Sequence, residues 1–369
     1  MHDIATNELG ILLVLAFVIF VSPYFAKITK IPIAPIEIIF GTILGYFGLI
    51  EQSATFKLVA EVGFFYLMFL AGTEIDIRAL IKTDKQVLRL ALLYISILYI
   101  VAGITGVWSN ALFLTFVVVP VMSVGVLSTL FKEYGKNEPW LNTAMIAGGI
   151  GEVISIALLT LMSAYIEFGS SAELFSSIYY LILFIALCVL GFKGLEILFW
   201  WYPNIKIMLM PHDDKAEKDI RLSMALFFST VAVMIYLNLE IVLGAFIAGS
   251  FIATFFNHKK DLPHKLGSFG FGFLVPIFFV YIGTTVDLGY LFMPGVLDNA
   301  IKLMIFMTIV RVAASLIFIK RFGLYDSILF GLSLSMPLTL LVAVATVAYN
   351  AGNIPKELYF AFIIASIFE

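Results

Sequence analysis

Residues 72–76 read Gly-Thr-Glu-Ile-Asp, and residues 283–287 read Gly-Thr-Thr-Val-Asp. The same two parts of the chain share another motif, because Glu37-Ile-Ile-Phe-Gly41 is matched by Glu240-Ile-Val-Leu-Gly244. A third match follows in the same order, between Pro120 and Pro337. Three matches in one order indicate that the chain consists of two related halves.

The composition places both halves in a membrane. Of the 369 residues, 62 % are hydrophobic and 13 % are charged, and the mean hydropathy is +1.06. A soluble domain carries about 25 % charged residues, so this chain has too few to cover a water-exposed globule. These values exclude a cytosolic enzyme, a secreted disulfide scaffold and a nucleic-acid-binding protein. The single cysteine, Cys188, excludes an intramolecular disulfide and a cysteine-cluster metal site.

Apolar stretches close to the roughly 20 residues that a helix needs to cross a bilayer recur along the chain. They predict an all-α polytopic membrane protein with about thirteen transmembrane helices. The last stretch is short, and we expect the natural protein to continue beyond Glu369. The predicted spans are residues 9–26, 32–50, 57–75, 87–108, 110–131, 141–165, 174–202, 220–238, 240–257, 266–291, 299–319, 325–349 and 355 onward.

Basic residues indicate how these helices are oriented. Seventeen of the 22 lysines and arginines fall in alternate loops, three fall in the opposite loops, and Lys193 and Arg311 lie within spans. Cytoplasmic loops carry the excess of basic residues. We therefore predict a multi-pass protein of the cell (inner) membrane with its N-terminus outside. In this orientation Asp76 ends a span inside, whereas Asp287 ends one outside.

The two halves thus have opposite orientations in the membrane. Helices 1–6 and helices 8–13 form two inverted six-helix repeats, and the seventh helix is a linker between them. Inverted repeats are typical of secondary transporters, whose substrate site lies near the bilayer midplane at the repeat interface. The sequence therefore predicts a transporter with a central site.

A proline stands in the middle of the fifth span and another in the middle of the twelfth. Proline removes a backbone hydrogen bond and clashes with the preceding turn. Broken helices persist in membranes only where they are buried in protein or line a cavity. A packed kink would explain either proline alone, but the symmetric pair favours two discontinuous helices at a transport site. The positions assigned to them are Pro120, Met122, Pro337, Ser335 and Thr339, with Ser123 beside them.

Glu152 is an isolated acid near the centre of the sixth span. An ionised side chain there costs roughly 2.5–3.5 kcal/mol, so Glu152 needs a proton, a counter-charge or a cation. Arg311, isolated in the eleventh span, also needs a partner. One interpretation is a static Glu152–Arg311 ion pair. The preferred one is a transient monovalent-cation site at Glu152, in which Arg311 balances charge. Ser123 and Ser155 are the further ion- or proton-binding candidates.

Other polar residues have structural interpretations. Lys193 and Glu196 stand three apart in the seventh span and are expected to form a local ion pair. Glu74 is expected to cap the third span at the inner interface, and His258 and His264 to be solvated in a cytoplasmic loop. The chain has no His-Glu-x-x-His motif and no Walker loop, so neither an enzyme nor a cofactor is expected.

Longer motifs resemble those of a known family. Residues 244–249 read Gly-Ala-Phe-Ile-Ala-Gly, and residues 276–283 read Pro-Ile-Phe-Phe-Val-Tyr-Ile-Gly. These stretches, together with residues 36–45 and 69–76 of the first half, resemble the monovalent cation/proton antiporter family, in particular its Kef-type and sodium/proton exchanger members. The resemblance covers the whole chain. It implies a sodium/proton antiporter-like fold with a dimerisation domain and a six-helix core that contains two crossed, discontinuous helices.

The resemblance also implies a division of the chain and a mechanism. The scaffold, which forms the dimer, comprises residues 1–86 and 220–297. The transport core comprises residues 87–168 and 298–369, and residues 169–219 form the linker helix and a cytoplasmic loop. An elevator-like movement of the core then carries the ion across the membrane.

Two departures from the family pattern affect the expected mechanism. The family usually has Asn-Asp, Asp-Asp or Gln-Asp where this chain has Gly151-Glu152, so one carboxylate remains. Arg311 stands at the place of the family's later basic residue. The Gly-Glu-Phe motif of Kef-type members is missing, and Met336-Pro337-Leu338 stands nearby. A single exchangeable acid predicts electroneutral one-for-one exchange.

The leading hypothesis is a homodimeric antiporter in the lipid bilayer that exchanges Na⁺ or K⁺ for H⁺. A sodium-coupled symporter of an organic anion is an alternative on a related fold. A Kef-like potassium efflux system is another, and its nucleotide-binding regulatory domain would have to follow residue 369. A membrane sensor or scaffold without transport activity is the remaining alternative.

Overall fold

The computed structural model describes residues 2–50, 52–75, 78, 83–108, 112–124, 127, 138–168, 172–211, 216–256, 259, 261–286 and 295–369. Asp76, Asp287 and His258 lie outside the described residues. Within these ranges the chain is helical and contains no β-strand. The prediction of an all-α protein is confirmed.

The helices are numbered here in chain order. The first half contains α1 (His2–Thr29), α2 (Ile33–Tyr46), α3 (Ala54–Thr73), α4 (Lys85–Trp108), α5 (Leu112–Val118) and α6 (Pro139–Phe168). The connecting region contains α7 (Ala172–Trp201) and α8 (Pro203–Leu209). The second half contains α9 (Lys218–Tyr236), α10 (Ile241–Phe255), α11 (Leu262–Phe269), α12 (Val275–Thr285), α13 (Val296–Ser315), α14 (Ile319–Phe322), α15 (Leu324–Ser333), α16 (Leu338–Asn350) and α17 (Lys356–Phe368).

Each of the thirteen predicted spans contains at least one described helix, although parts of residues 110–131 and 266–291 lie outside the described residues. In the described part of the chain, eight helices are long and apolar enough to cross a membrane, and a ninth span results if the bent pair α15–α16 is counted as one. The chain is therefore a multi-pass membrane protein. The count of thirteen crossings stays a prediction.

The helix pair α11–α12 shows how a proline is accommodated inside a span. A π-helical segment, Gly270–Leu274, joins the two helices, and Pro276 follows it in the first turn of α12. Proline cannot donate a hydrogen bond to the carbonyl four residues earlier. The wider π turn rearranges the hydrogen bonds at this point, since the Val275 amide bonds to the carbonyl of Gly270.

Glycines bring the two halves into close contact. A Cβ atom at Gly41 of α2 would overlap with the carbonyl oxygen of Val280 in α12, and one at Gly72 of α3 would overlap with that of Phe246 in α10. Small residues permit such close approach of membrane helices. Helices α2 and α3 of the first half correspond to α10 and α12 of the second. The contact between α2 and α12 is therefore equivalent to the contact between α3 and α10 under a twofold relation between the halves.

A separate apolar cluster joins α4, α6, α13 and α15. Its members include Tyr94, Phe318 and Phe330, whose rings lie within 6.2 Å of one another, and Met122 from the segment after α5. These four helices come from residues 87–168 and 298–369, the predicted transport core. The division into a core and a scaffold remains a prediction.

Candidate ion-binding site

Both prolines stand where a helix is interrupted. Helix α5 ends at Val118, and residues 119–124 are not helical. Helix α15 ends at Ser333, α16 begins after Pro337, and the two are bent by 42° relative to each other. A helix end leaves backbone amides or carbonyls without intrahelical partners. Each interruption therefore offers polar backbone groups inside an apolar protein.

The two interruptions meet at their hydroxyl groups. The Oγ atom of Ser123 and the Oγ1 atom of Thr339 are 3.0 Å apart and share a hydrogen bond in which either atom can be the donor. Both residues are buried. Ser335 is buried as well, but its hydroxyl donates to the carbonyl of Gly331 in the last turn of α15. Ser123 and Thr339 are thus together, while the Ser335 hydroxyl is used elsewhere.

Glu152 of α6 reaches the first interruption. Its side chain is 0 % exposed. Its Oε1 atom accepts a hydrogen bond from Ser123 Oγ at 3.2 Å, and its Oε2 atom accepts one from the backbone amide of Val124 at 3.2 Å. The sequence pointed to Ser123 but not to the Val124 amide, which becomes a donor only because α5 is broken before it. The result is a buried carboxylate held by the interrupted helix.

Ser155 secures the same segment from one turn further along α6. Its hydroxyl donates to the carbonyl of Gly151 at 2.7 Å and accepts from the Met122 amide at 3.2 Å. Ser155 therefore orients the backbone beside the acid. Both of these hydrogen bonds are to backbone groups and not to the Glu152 carboxylate. Gly151 is explained by the same packing, because a Cβ atom there would overlap with the Sδ atom of Met122. Met122 thus occupies the space beside Gly151 that a larger side chain would need.

Arg311 of α13 lies on the other side of this interruption. Its Nη2 atom donates to the carbonyl of Val121 at 2.7 Å, and its Nη1 atom is 3.7 Å from Oε1 of Glu369. Both side chains of this ion pair have 0 % exposure. Among the residues described, the ion-pair partner of Arg311 is Glu369 and not Glu152. Glu369 was missed as a partner, although it follows an apolar run and, like Glu152, is an acid among apolar residues.

A cavity leads to the meeting point of the two interruptions. Its volume is about 260 Å³, and its lining includes Glu74, Ser123, His264 and Thr339. His264 is exposed at one end, whereas Ser123 and Thr339 are buried at the other. Glu74 is the C-cap residue of α3, in agreement with the expectation of a cap, and it also lines the cavity that reaches Ser123 and Thr339.

The expected ion pair between Lys193 and Glu196 is wrong. Glu196 Oε1 instead lies 3.5 Å from Nε of Arg78. The Arg78 guanidinium is placed there by stacking over the Phe255 ring, 4.9 Å from its centroid. A cation–π contact of this kind adds about 0.5–1 kcal/mol at an exposed position. An ion pair between Lys193 and Glu196 within α7 would not have this additional contact. Lys193 is exposed on the surface of α7.

Comparison with known proteins identifies the family. Residues 14–369 match the sequence profile of the family described as "Sodium/hydrogen exchanger, transmembrane". The chain belongs to this family. The resemblance read from the sequence is confirmed, and the chain is accordingly a member of a transporter family and not an enzyme.

Two relatives and one structure extend this result. YjbQ of Bacillus subtilis, named as a candidate Na⁺/H⁺ antiporter, is 27 % identical over 99 % of this chain, which spans 62 % of its length. GerN of Bacillus cereus, named as an Na⁺/H⁺-K⁺ antiporter, is 23 % identical over 76 % of this chain and 70 % of its own. The Kef-type part of the resemblance does not match these names.

The fold resembles a solved antiporter structure. This structure is MjNhaP1 of Methanocaldococcus jannaschii, a sodium proton antiporter determined at pH 8. It superimposes on the chain with a TM-score of 0.64 and is 16 % identical in sequence. The match covers 99 % of this chain and 96 % of MjNhaP1. The predicted antiporter-like fold is thereby confirmed.

Proposed function

We propose that this protein exchanges Na⁺ or K⁺ for H⁺ across the membrane and that both ions neutralise the same carboxylate, Glu152. The observation that carries this proposal is the contact of the buried Glu152 side chain with Ser123 and Val124 at an interrupted helix. The names of YjbQ and GerN support the choice of ions.

The energetics of burial make binding of the two ions mutually exclusive. An unneutralised carboxylate in the membrane interior costs roughly 2.5–3.5 kcal/mol, and the hydrogen bonds from Ser123 and Val124 leave its net negative charge in place. A proton or a cation removes the remaining charge, but a single carboxylate has no charge left for the second ion. Competition for Glu152 therefore couples the release of one ion to the binding of the other.

The oxygen atoms around Glu152 suit an alkali cation. Ser123 Oγ and Thr339 Oγ1 are 3.0 Å apart and come from opposite repeats. In transporters with broken helices, unwound carbonyls and half-helix C-terminal ends coordinate Na⁺. The ends of α5 and α15 provide such groups beside the carboxylate.

The cavity at Glu74 and His264 provides the access path from the predicted cytoplasmic side. Alternating access follows if the core, residues 87–168 and 298–369, moves as a body against the scaffold, residues 1–86 and 220–297. The linker and loop, residues 169–219, connect the two repeats. We propose this elevator-type movement together with an N-terminus outside the cell membrane and a homodimer formed by the scaffold.

Exchange is proposed to be electroneutral. Glu152 is the acid at the interruption, and the Arg311 charge is compensated by Glu369. One proton therefore replaces one monovalent cation, and the charge of the core is the same in both loaded states.

The cavity size argues against the symport alternative. Sites for organic ligands usually have volumes of about 300–1,000 Å³. The cavity that reaches Ser123 and Thr339 has a volume of about 260 Å³ and suits an ion better than an organic anion.

The test is cation-driven proton flux in proteoliposomes with an internal pH-indicating dye, with Na⁺, K⁺ and Li⁺ added in turn. Glu152→Gln should abolish flux because it removes the exchangeable charge but keeps the side-chain size. Glu61→Gln is the matched control, since Glu61 is exposed and pairs with Lys57 on the surface of α3. Flux that persists in Glu152→Gln would overturn the assignment, and a rate that changes with membrane potential would overturn electroneutrality.

A further inference from the structure

An apolar groove separates α6, which carries Glu152, from α10 of the opposite repeat. Its volume is about 580 Å³, and α7 forms its third wall. Val153 on the α6 side is exposed although it follows Glu152 directly. The side chains of the three walls are Val153 and Ile154 of α6, Phe246 and Ile247 of α10, and Val189 and Phe192 of α7. Such a surface within membrane-spanning helices is suited to a hydrocarbon chain.

The groove continues into a second cavity of about 560 Å³ near the end of α7. Arg78 and Glu196 line both cavities. Trp200 and Trp201 line the second one and are exposed. Exposed indole rings at a helix end sit preferentially at the membrane–water interface. The second cavity is therefore at headgroup level, on the side where basic residues are concentrated.

The charges where the cavities join leave one positive charge uncompensated. Arg78 is paired with Glu196 at 3.5 Å. Lys193 lines the groove and is exposed, and it forms no ion pair with any residue that the structure describes. It lies eight residues before the end of α7, roughly 12 Å along the helix axis. A lysine at that depth extends its ammonium group toward the membrane interface, where an anionic headgroup can bind it.

We propose that this groove binds one anionic phospholipid of the cytoplasmic leaflet. The phosphate lies between Arg78 and Lys193, and one acyl chain fills the space between α6 and α10. A phosphodiester has one negative charge, which matches the uncompensated positive charge of the site. The site does not depend on which ion the protein carries, so its test needs no transport assay.

The test is native mass spectrometry of the full chain, solubilised with a mild detergent and titrated with phosphatidylglycerol or phosphatidylcholine. The wild type should retain one phosphatidylglycerol at a lipid concentration about tenfold below that needed for phosphatidylcholine. Arg78→Ala with Lys193→Ala should remove this preference. Lys320→Ala with Arg321→Ala is the matched control, because it also removes two basic residues from the predicted cytoplasmic side but lies outside both cavities.

A further variant keeps the test decisive if loss of Arg78 impairs folding. Ala157→Phe fills the groove from α6 without changing any charge, and it should also reduce retention about tenfold. Equal retention of the two lipids by the wild type would overturn the proposal, as would equal losses in the Lys320/Arg321 control. Loss of a bound second copy of the chain in Ala157→Phe, with lipid retention unchanged, would show that the groove is a protein interface, which also overturns the proposal.

Discussion

Replacing Glu369 by glutamine should destabilise the protein, because it leaves a buried guanidinium without a counter-charge. The Arg311 and Glu369 side chains are both 0 % exposed and their charged atoms are 3.7 Å apart. The Nη2 atom of Arg311 is already used by the carbonyl of Val121. In the described part of the chain no other carboxylate lies within ion-pair distance of Arg311.

The expected loss is several times that of a surface substitution. Removing one partner of a buried ion pair costs about 3–5 kcal/mol, whereas an exposed pair such as Lys57–Glu61 contributes about 0–1 kcal/mol. The entropy of unfolding is about 2.1 cal/mol/K per residue, or about 0.8 kcal/mol/K for this chain. Glu369→Gln should therefore lower the melting temperature by about 4–6 °C.

The assay is thermal unfolding of the purified protein in detergent, with Glu61→Gln as the control for loss of an exposed acid. A double variant, Glu369→Leu with Arg311→Met, removes both charges at once. Apolar replacement of a complete buried pair is often neutral, so the double variant should melt above Glu369→Gln. Its melting temperature should still be lower than that of the wild type, because it loses the hydrogen bond from Arg311 to the Val121 carbonyl. Such a bond contributes about 1.5–3 kcal/mol when the donor is charged.

A melting temperature of Glu369→Gln within about 1 °C of the wild type would refute this reasoning, since 1 °C corresponds to less than 1 kcal/mol here. A double variant that melts no higher than Glu369→Gln would refute it as well, because removal of both charges would then bring no recovery of stability. In either case Arg311 would have to find its counter-charge elsewhere, and Glu152 would be the acid to test next.

Three further substitutions test the site and the packing. Gly151→Ala should impair folding because its Cβ overlaps with Met122, and Met122→Ala in the same chain should restore a monodisperse protein in size-exclusion chromatography. Ser123→Ala should raise the cation concentration for half-maximal exchange about tenfold, which is equivalent to about 1.4 kcal/mol. Its melting temperature should stay within about 2 °C of the wild type. An unchanged cation dependence would contradict the role of Ser123 at Glu152. Gly249→Ala should destabilise the α3–α10 contact by about 1–3 kcal/mol, whereas Gly191→Ala, which meets no neighbour, should be neutral in the same melting assay.

The features that were predictable depend on local sequence or on its repetition. Apolar length alone located the helices, because a membrane leaves few other structures for a backbone. Pro120 and Pro337 marked the interruptions, since proline acts on its own helix. Glu152 was identifiable because an acid among apolar residues is costly wherever its partners are. None of these inferences needs the distance between two helices.

The features that were missed depend on rotation and approach of helices that are far apart in sequence. Lys193 and Glu196 have suitable spacing for an ion pair, but packing of α7 brings Glu196 to Arg78, whose position is set by Phe255. Gly151 has no side chain where the Sδ atom of Met122 packs against it. The sequence contains both residues but not their contact.

Glu152 and Arg311 show how the interruption itself separates two charges that the sequence alone would pair. A broken helix exposes amides and carbonyls together. Glu152 takes the Val124 amide, and Arg311 takes the Val121 carbonyl three residues earlier. Because Glu369 supplies the counter-charge of Arg311, protonation of Glu152 leaves no unpaired cation behind. In the proposed mechanism, exchange of one proton for one alkali ion at Glu152 would therefore rearrange no other buried charge.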